Sequence, residues 1–329
     1  VRFIFRRFGF FLVTLWAAMT VNFIIPRLMP GNPAEAMIAR FHGHVAPGAL
    51  QALEVQFGVQ NHQNSVVQYF EYLRNTLTGN FGTSVYFYPE SVAHVIRQAI
   101  PWTLGLVGVT TVIAFVIGTL IGAVSAWRRG GHLDGILPPV FIITSAFPYF
   151  WIALMFVLLF SLTLHWLPIG FGYDNTYYPS FTPGFIGSVL DHALLPAFTI
   201  VLTSIGGWIL FMRNNMITTL SEDYVRMARA KGLSSSRIML DYAARNAILP
   251  SLTGFAMSLG FVLSGAILVE YVFSYQGVGY MLLQAVENED YALMQALFLL
   301  ITVAVLLAVL AADILTAILD PRTRSGHRA

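Results

Sequence analysis

The sequence has no cysteine, a single lysine and few charges of either sign, and each shortage closes off a class of function. Without cysteine there is no disulfide framework, thiol nucleophile or Cys-ligated metal centre. The one lysine, Lys231, stands between Ala230 and Gly232, whereas a phosphate-binding P-loop needs Gly-x-x-x-x-Gly-Lys-Ser/Thr. The chain therefore cannot hold a P-loop of that form. The apolar runs contain no nucleophile–base pair and no metal triad, which argues against an intramembrane enzyme. His42, His44 and His62 lack a convincing carboxylate partner and suit an exposed surface better than zinc. No metal, cofactor or nucleic-acid partner is implied.

What the chain has in quantity is apolar surface. Hydrophobic residues make up 57% of its 329 positions and charged residues 10%, against about 25% charged in a soluble domain. A bilayer core asks for about 20 mostly apolar residues per helix. Six stretches qualify: 5–25, 102–126, 136–160, 194–216, 251–273 and 292–318. The expected fold is an all-α polytopic membrane protein. Its first helix occupies 1–26, a small extracytoplasmic domain 27–101, and a five-helix core 102–329. The first apolar run is long and ends at Pro26, so it suits an uncleaved span better than a signal peptide. Pro138, Pro139 and Pro148 interrupt the third span, Pro196 is expected to start the fourth, and Pro250 to open the fifth. The segments 161–193 and 274–291 have loop composition.

Charge placement gives orientation. Arg2, Arg6, Arg7, Arg128, Arg129, Arg213, the 226–245 cluster and Arg322, Arg324 and Arg328 fall on one side; Arg27, Arg40, Arg74 and Arg97 fall on the other. The positive-inside rule puts the first group, and both termini, in the cytoplasm. Asp313 and Glu270 lie near span ends, where both can reach an interface and stay wet. A carrier coupled to ions usually needs a buried carboxylate near the midplane, and no such carboxylate is visible. Small residues at helix-packing spacing, Gly118 with Gly122 above all, suit close helix contact within the chain.

The most informative segment is the charged loop 213–250. Ser221 can cap a short helix with Glu222 and Asp223 in its first turn. Tyr224, Met227 and Ala228 then share a face, with Val225 beside it. Arg226, Arg229 and Lys231 surround that face, and Ala230 precedes the lysine. Gly232 suits the left-handed residue that ends a helix. Ser234 to Ser236 offer a cap for a second short helix running to about Ala247. Taken alone, this pattern fits a solvated basic loop lying against lipid headgroups equally well.

The residues themselves resemble a known motif. Tyr224-Val225-Arg226-Met227-Ala228-Arg229-Ala230-Lys231-Gly232-Leu233, followed by Arg245-Asn246-Ala-Ile-Leu-Pro250, is similar to the loop of dipeptide/oligopeptide permeases of binding-protein-dependent ABC importers. Leu28-Met-Pro-Gly-Asn-Pro33, Phe81-Gly-Thr-Ser84, Phe147-Pro-Tyr-Phe-Trp151, Val269-Glu-Tyr-Val-Phe273 and Asp320-Pro-Arg322 resemble the family's other short motifs in the same order. Asn32 stands where the family has aspartate. The resemblance implies a type I ABC importer permease fold in a bacterial or archaeal cytoplasmic membrane. It also implies a homologous second permease, two ABC ATPase subunits carrying ATP and Mg, and an extracytoplasmic solute-binding protein. The loop would seat a coupling helix in an ATPase groove, with the Ala228 side packed into it.

The competing class is an ion-coupled secondary carrier, and the discriminating features are the loop on one side and a midplane carboxylate on the other. Within the importer family, di- or oligopeptide is the default solute. Oligosaccharide is the runner-up, because Tyr86-Phe-Tyr-Pro89 and the run Met212-Arg-Asn-Asn-Met216 suggest sugar stacking; nickel complexes are a further possibility.

Overall fold

The computed structural model describes residues 2–28 and 64–319. The histidines at 42, 44 and 62, the motif through Pro33, and Asp320-Pro-Arg322 lie outside them. Among the described residues the regular elements are helices, with one isolated bridge between Thr83 and Ser91. In chain order the helices are α1 Arg2–Leu28, α2 Ser65–Leu77, α3 Val92–Trp127, α4 His132–Ala146, α5 Tyr149–Thr163 and α6 Pro183–Leu220. They continue with α7 Asp223–Ala230, α8 over 235–260, α9 Val262–Gly265, α10 Ile267–Val272, α11 Val278–Glu287 and α12 Tyr291–Leu319. Four of these, α1, α3, α6 and α12, are long and apolar enough to cross a membrane unbroken.

The other two expected spans exist as broken helices. The third stops at Phe147, which is extended (φ −84°, ψ 136°), and restarts after Pro148. Pro138 and Pro139 do not stop it. The reason is local: Pro148 disfavours helical backbone at the residue before it, and α5 can begin just behind a proline. The fifth span is interrupted at Phe261 and again at Ala266 (φ −115°, ψ 20°). Two expected helix starts move. Pro196 lies inside α6 and Pro250 inside α8. A buried membrane helix tolerates such prolines because neighbouring groups re-satisfy the freed carbonyl. The 274–291 stretch, expected to be a loop, contains α11.

Two compact units divide the chain, 1–103 with 276–306, and 104–275 with 307–329. In the first unit, α1 and α12 are clasped by a reciprocal pair: Asn22 Nδ2 donates to Gln295 O (2.7 Å) and Gln295 Nε2 donates to Asn22 O (3.0 Å). Helix α2 packs on α1 through Tyr69 and Tyr72, which flank Phe23 at 5.2 and 5.5 Å. Asp290 is fully buried. It accepts from Ser84 Oγ, from Tyr86 N–H (3.0 Å) and from Leu293 N–H (3.1 Å). It therefore caps α12 and fixes the Tyr86-Phe87 turn together.

The second unit is organised on α3 and α6. A Cβ on Gly118 would stand 2.6 Å from Trp208 Cβ, and one on Gly122 would stand 2.5 Å from Ile209 O. The glycine pair thus serves packing within the chain, and the two backbones touch. Ala114, Ile205 and Ile209 fill the contact, with Phe141 and Trp208 at its edge. At the end of the same helices, Asp134 on α4 accepts from Arg213 Nε (2.6 Å), Ser125 Oγ (3.1 Å) and Gly130 N–H (3.1 Å). One carboxylate joins the ends of α3, α4 and α6. Glu270 departs from expectation: it is 1% exposed, not wet at an interface. The chain folds back beyond α10, so that Tyr275 N–H donates to Glu270 O (2.7 Å) and closes the turn over it.

Two consequences are measurable. Gly122→Val forces a clash against backbone, so it should destabilise the protein by about 1–3 kcal/mol. Gly105→Ala has open space around its Cβ and should not; thermal unfolding in detergent separates them. The Arg213 guanidinium holds the Asp134 carboxyl well below its ordinary range, at about 2. A carboxyl depressed by folding stabilises above its unfolded pKa of about 3.9 and loses that contribution as pH falls through the folded value. Asp134→Asn should therefore reduce the loss of thermal stability expected between about pH 4 and pH 2. An unchanged acid profile contradicts this assignment.

Candidate functional site

The charged loop forms a compact helix–turn–helix. Helix α6 ends at Leu220, with Ser221 as its C-cap. Glu222, in extended conformation, is the N-cap of α7. Ser221 does not cap α7: its hydroxyl donates back to Thr218 O (2.7 Å). The sequence Glu222-Asp223 still places acid at the positive end of α7, as the dipole prefers. Gly232 has φ +73°, the left-handed residue that closes the helix. Its N–H donates to Arg229 O (3.0 Å), and Lys231 N–H donates to Met227 O (3.0 Å). Beyond the turn, Ser234 starts α8, where the second short helix runs without a break into the fifth span. A π-helical stretch, Ile238–Ala244, lies at that join.

The faces of α7 divide differently from the expected grouping. Val225 and Ala228 are buried (0% and 2% exposed) and pack on Ile238. Trp127, Leu220, Leu233 and Tyr242 surround that cluster. Ala228 therefore points into its own chain and does not offer its methyl to a partner's groove. Its size suits this place, because a larger side chain would push α7 off α8. Tyr224 and Met227 point the other way, 40% and 60% exposed. The i, i+3, i+4 grouping joined side chains that the helix separates, and burial of Val225 and Ala228, at i+1 and i+4, decides the orientation.

Around Met227 the surface is basic. Arg226, Arg229, Lys231, Arg245, Asn246 and Pro250 are exposed, as is Ala230. The acids nearby neutralise little of it: Arg226–Asp223 is 3.6 Å and Arg237–Asp241 3.7 Å, both at the surface. The Asn246 side chain of α8 lies close to the Tyr224 phenol of α7, and its Nδ2 donates to Tyr242 O (2.8 Å). Partial burial raises the Tyr224 phenol above its ordinary pKa, and the Asn246 side chain opposes the shift. The structure thus brings the two halves of the motif together, Tyr224 to Leu233 and Arg245 to Pro250.

The loop also has a footing that sequence reasoning missed. Ala123, Ala126, Met212, Met216, Ala243 and Ala247 form one buried cluster across α3, α6 and α8. Asp134 and Arg213 lie beside it in sequence and lock the same helix ends. A partly buried ion pair can be suspected from two opposite charges at apolar span ends, but Asp134 had no obvious partner 79 residues away. Met212 and Met216 are buried, 1% and 0% exposed. The 212–216 run therefore offers no surface for sugar stacking from either methionine.

Chemically, the loop presents Met227 and Tyr224 within a basic surface. Among the described residues no group of three His, Cys, Asp or Glu is arranged to hold a metal. Asp191 is exposed, and His192 is occupied by a contact from its Nδ1 to Ser188 O (2.8 Å).

Comparison with known proteins agrees with a transport role. The family model described as binding-protein-dependent transport system inner membrane component matches residues 118–325, a range that includes the loop and the helices around it. The chain is 34% identical to the di/tripeptide transport system permease protein DppB of Pseudomonas aeruginosa, with 98% of each chain covered. It is 32% identical to the oligopeptide transport system permease protein OppB of Haemophilus influenzae, covering 98% of this chain and 99% of that one. It is 29% identical to the metal-staphylopine import system permease protein CntB of Staphylococcus aureus, with 99% of each covered. An all-α chain with multiple apolar helices, matched in this way along its length, belongs to the inner-membrane components of binding-protein-dependent transport systems, and is a permease of the ABC importer type rather than an enzyme.

Proposed function

We propose that this chain is one of two homologous permease subunits of an ATP-driven importer, and that its solute is a di- or oligopeptide. The observation that carries the coupling role is the outward Met227 on a short helix whose opposite face is locked to its own chain. Two ABC ATPase subunits, binding ATP and Mg, would receive α7 and its basic rim on the cytoplasmic side. A solute-binding protein would deliver from the other side. Both termini and the 213–250 loop are then cytoplasmic, in keeping with the arginine asymmetry.

Rigidity is what makes the helix useful. A ligand or partner shifts a conformational equilibrium only by contacts that differ between the two states. A helix held by the packing of Val225 and Ala228 on Ile238 passes a displacement to α8 and α6 instead of absorbing it. The peptide assignment rests on the named relatives; the resemblance to CntB supports chelated metal as the second reading.

Two experiments test this reading. Because the chain has no cysteine, single cysteines report topology directly. Gly79→Cys should label from outside intact cells with an impermeant reagent and Ser235→Cys should not; the reverse pattern removes the cytoplasmic docking face. Met227→Glu should leave folding and insertion intact but reduce co-purification of the ATPase subunits and transport together. Ala228→Trp should instead lower thermal stability, since it overfills a buried contact, by about 1–3 kcal/mol. If Met227→Glu assembles and transports at the unmodified rate, α7 is not the docking helix.

A further inference from the structure

Both broken spans open onto one cavity. It has a volume of about 500 Å³ and lies in the second unit, with Phe147, Pro148, Thr203, Ser204, Ala266 and Val269 in its wall. The first break contributes extended backbone at Phe147 and Pro148. The second contributes Ala266, which is off the helical region between α9 and α10. Pro148 has no N–H to give to the carbonyl of Thr144, and the leading N–H groups of α5 have no acceptor within that helix. Irregular backbone at membrane depth is tolerated only where it is buried in protein or lines a water-filled space. Here two irregular stretches, from two different spans, face the same space.

The wall is neutral and offers both kinds of hydrogen-bonding group, with the Tyr149 phenol and the leading N–H groups of α5 as donors. No charged side chain lines it. Thr203 and Ser204 spend their hydroxyl protons on their own helix, donating to Thr199 O (2.9 Å) and Ile200 O (2.6 Å). Their oxygens retain acceptor capacity, and so does a carbonyl that has lost its helical donor. An uncharged wall that carries both acceptors and donors suits a solute that alternates N–H and C=O groups and is indifferent to the sign of its side chains. That description fits a peptide backbone.

We propose that this cavity is a hydrated stretch of the translocation route, and that it receives the amide backbone of the solute between the two helix breaks. The solute class rests on the peptide reading above; the route does not. Motion from the loop has somewhere to go on this account. The helix ends near α7 are locked by Asp134 and the 123–247 cluster, whereas Pro148 and Ala266 interrupt the helical hydrogen bonding of the spans that rise from them. The cavity walls can then shift when the locked ends move.

The test uses the assembled importer, with its ATPases, sister permease and binding protein, in proteoliposomes. Ser204→Cys is nearly isosteric and introduces the only thiol of this chain. A charged, membrane-impermeant methanethiosulfonate should label it, at rates that differ between the resting and the vanadate-trapped complex. Labelling after assembly should reduce transport about tenfold relative to the unlabelled variant, the rate effect of a small added barrier. ATP hydrolysis stimulated by the binding protein should persist. A transported peptide should slow the labelling more than its backbone N-methylated analogue does. No labelling in either state, or labelling that leaves transport unchanged, overturns the route. Equal protection by both peptides overturns the backbone contact. An importer that moves no peptide, but whose transport of another solute is blocked by the label, refutes the peptide reading and leaves the route standing.

Discussion

The small contact of Val225 and Ala228 with Ile238 is what the functional reading depends on. It turns a charged loop into a mounted helix. Without it, Met227 and the arginines would be a basic, solvated tether, able to bind but unable to transmit. With it, one face of α7 is spent inside the chain and the other is presented in a fixed direction. Gly232 permits the geometry, because the return into α8 needs a left-handed residue at the end of α7. The footing below is also specified. Gly118 and Gly122 let α3 and α6 touch, and Asp134 ties their ends to α4.

Much of this was legible in the sequence, for reasons that differ by feature. Apolar runs are long and obey a single rule, so α1, α3, α6 and α12 could be placed from composition. The loop motif was legible because its residues are chemically unusual for this chain: the only lysine and a run of arginines beside a glycine stop. Broken helices were harder. Pro138, Pro139, Pro148, Pro196 and Pro250 look alike in a sequence, yet only Pro148 marks a break. The other four sit within helices, where helix-to-helix packing outweighs the lost hydrogen bond.

The least legible facts concern which way a side chain faces. Ala228 was expected to meet a partner and is instead buried at home. A short helix with apolar residues on most of its turn has no unique inward face until its neighbours are known, and Trp127 and Ile238 decide it from other elements. Glu270 shows the same limit. It stands at a span end and was expected to stay wet, yet it is buried, because the chain folds over it. Pairing across 79 residues, as between Asp134 and Arg213, leaves no local trace at all.

On the proposed reading, α7 meets an ATPase subunit through Met227 and not through Ala228. The cysteine-free chain allows one direct measurement: disulfide or bifunctional crosslinking from single cysteines to the ATPase subunit in the assembled, membrane-embedded importer. Met227→Cys should crosslink to an ATPase subunit, and its yield should change when the complex is trapped with vanadate. Ala228→Cys should give no intersubunit product in either state. Crosslinking from Ala228→Cys with none from Met227→Cys contradicts the account, because it would mean that the buried face of this helix is the one that docks.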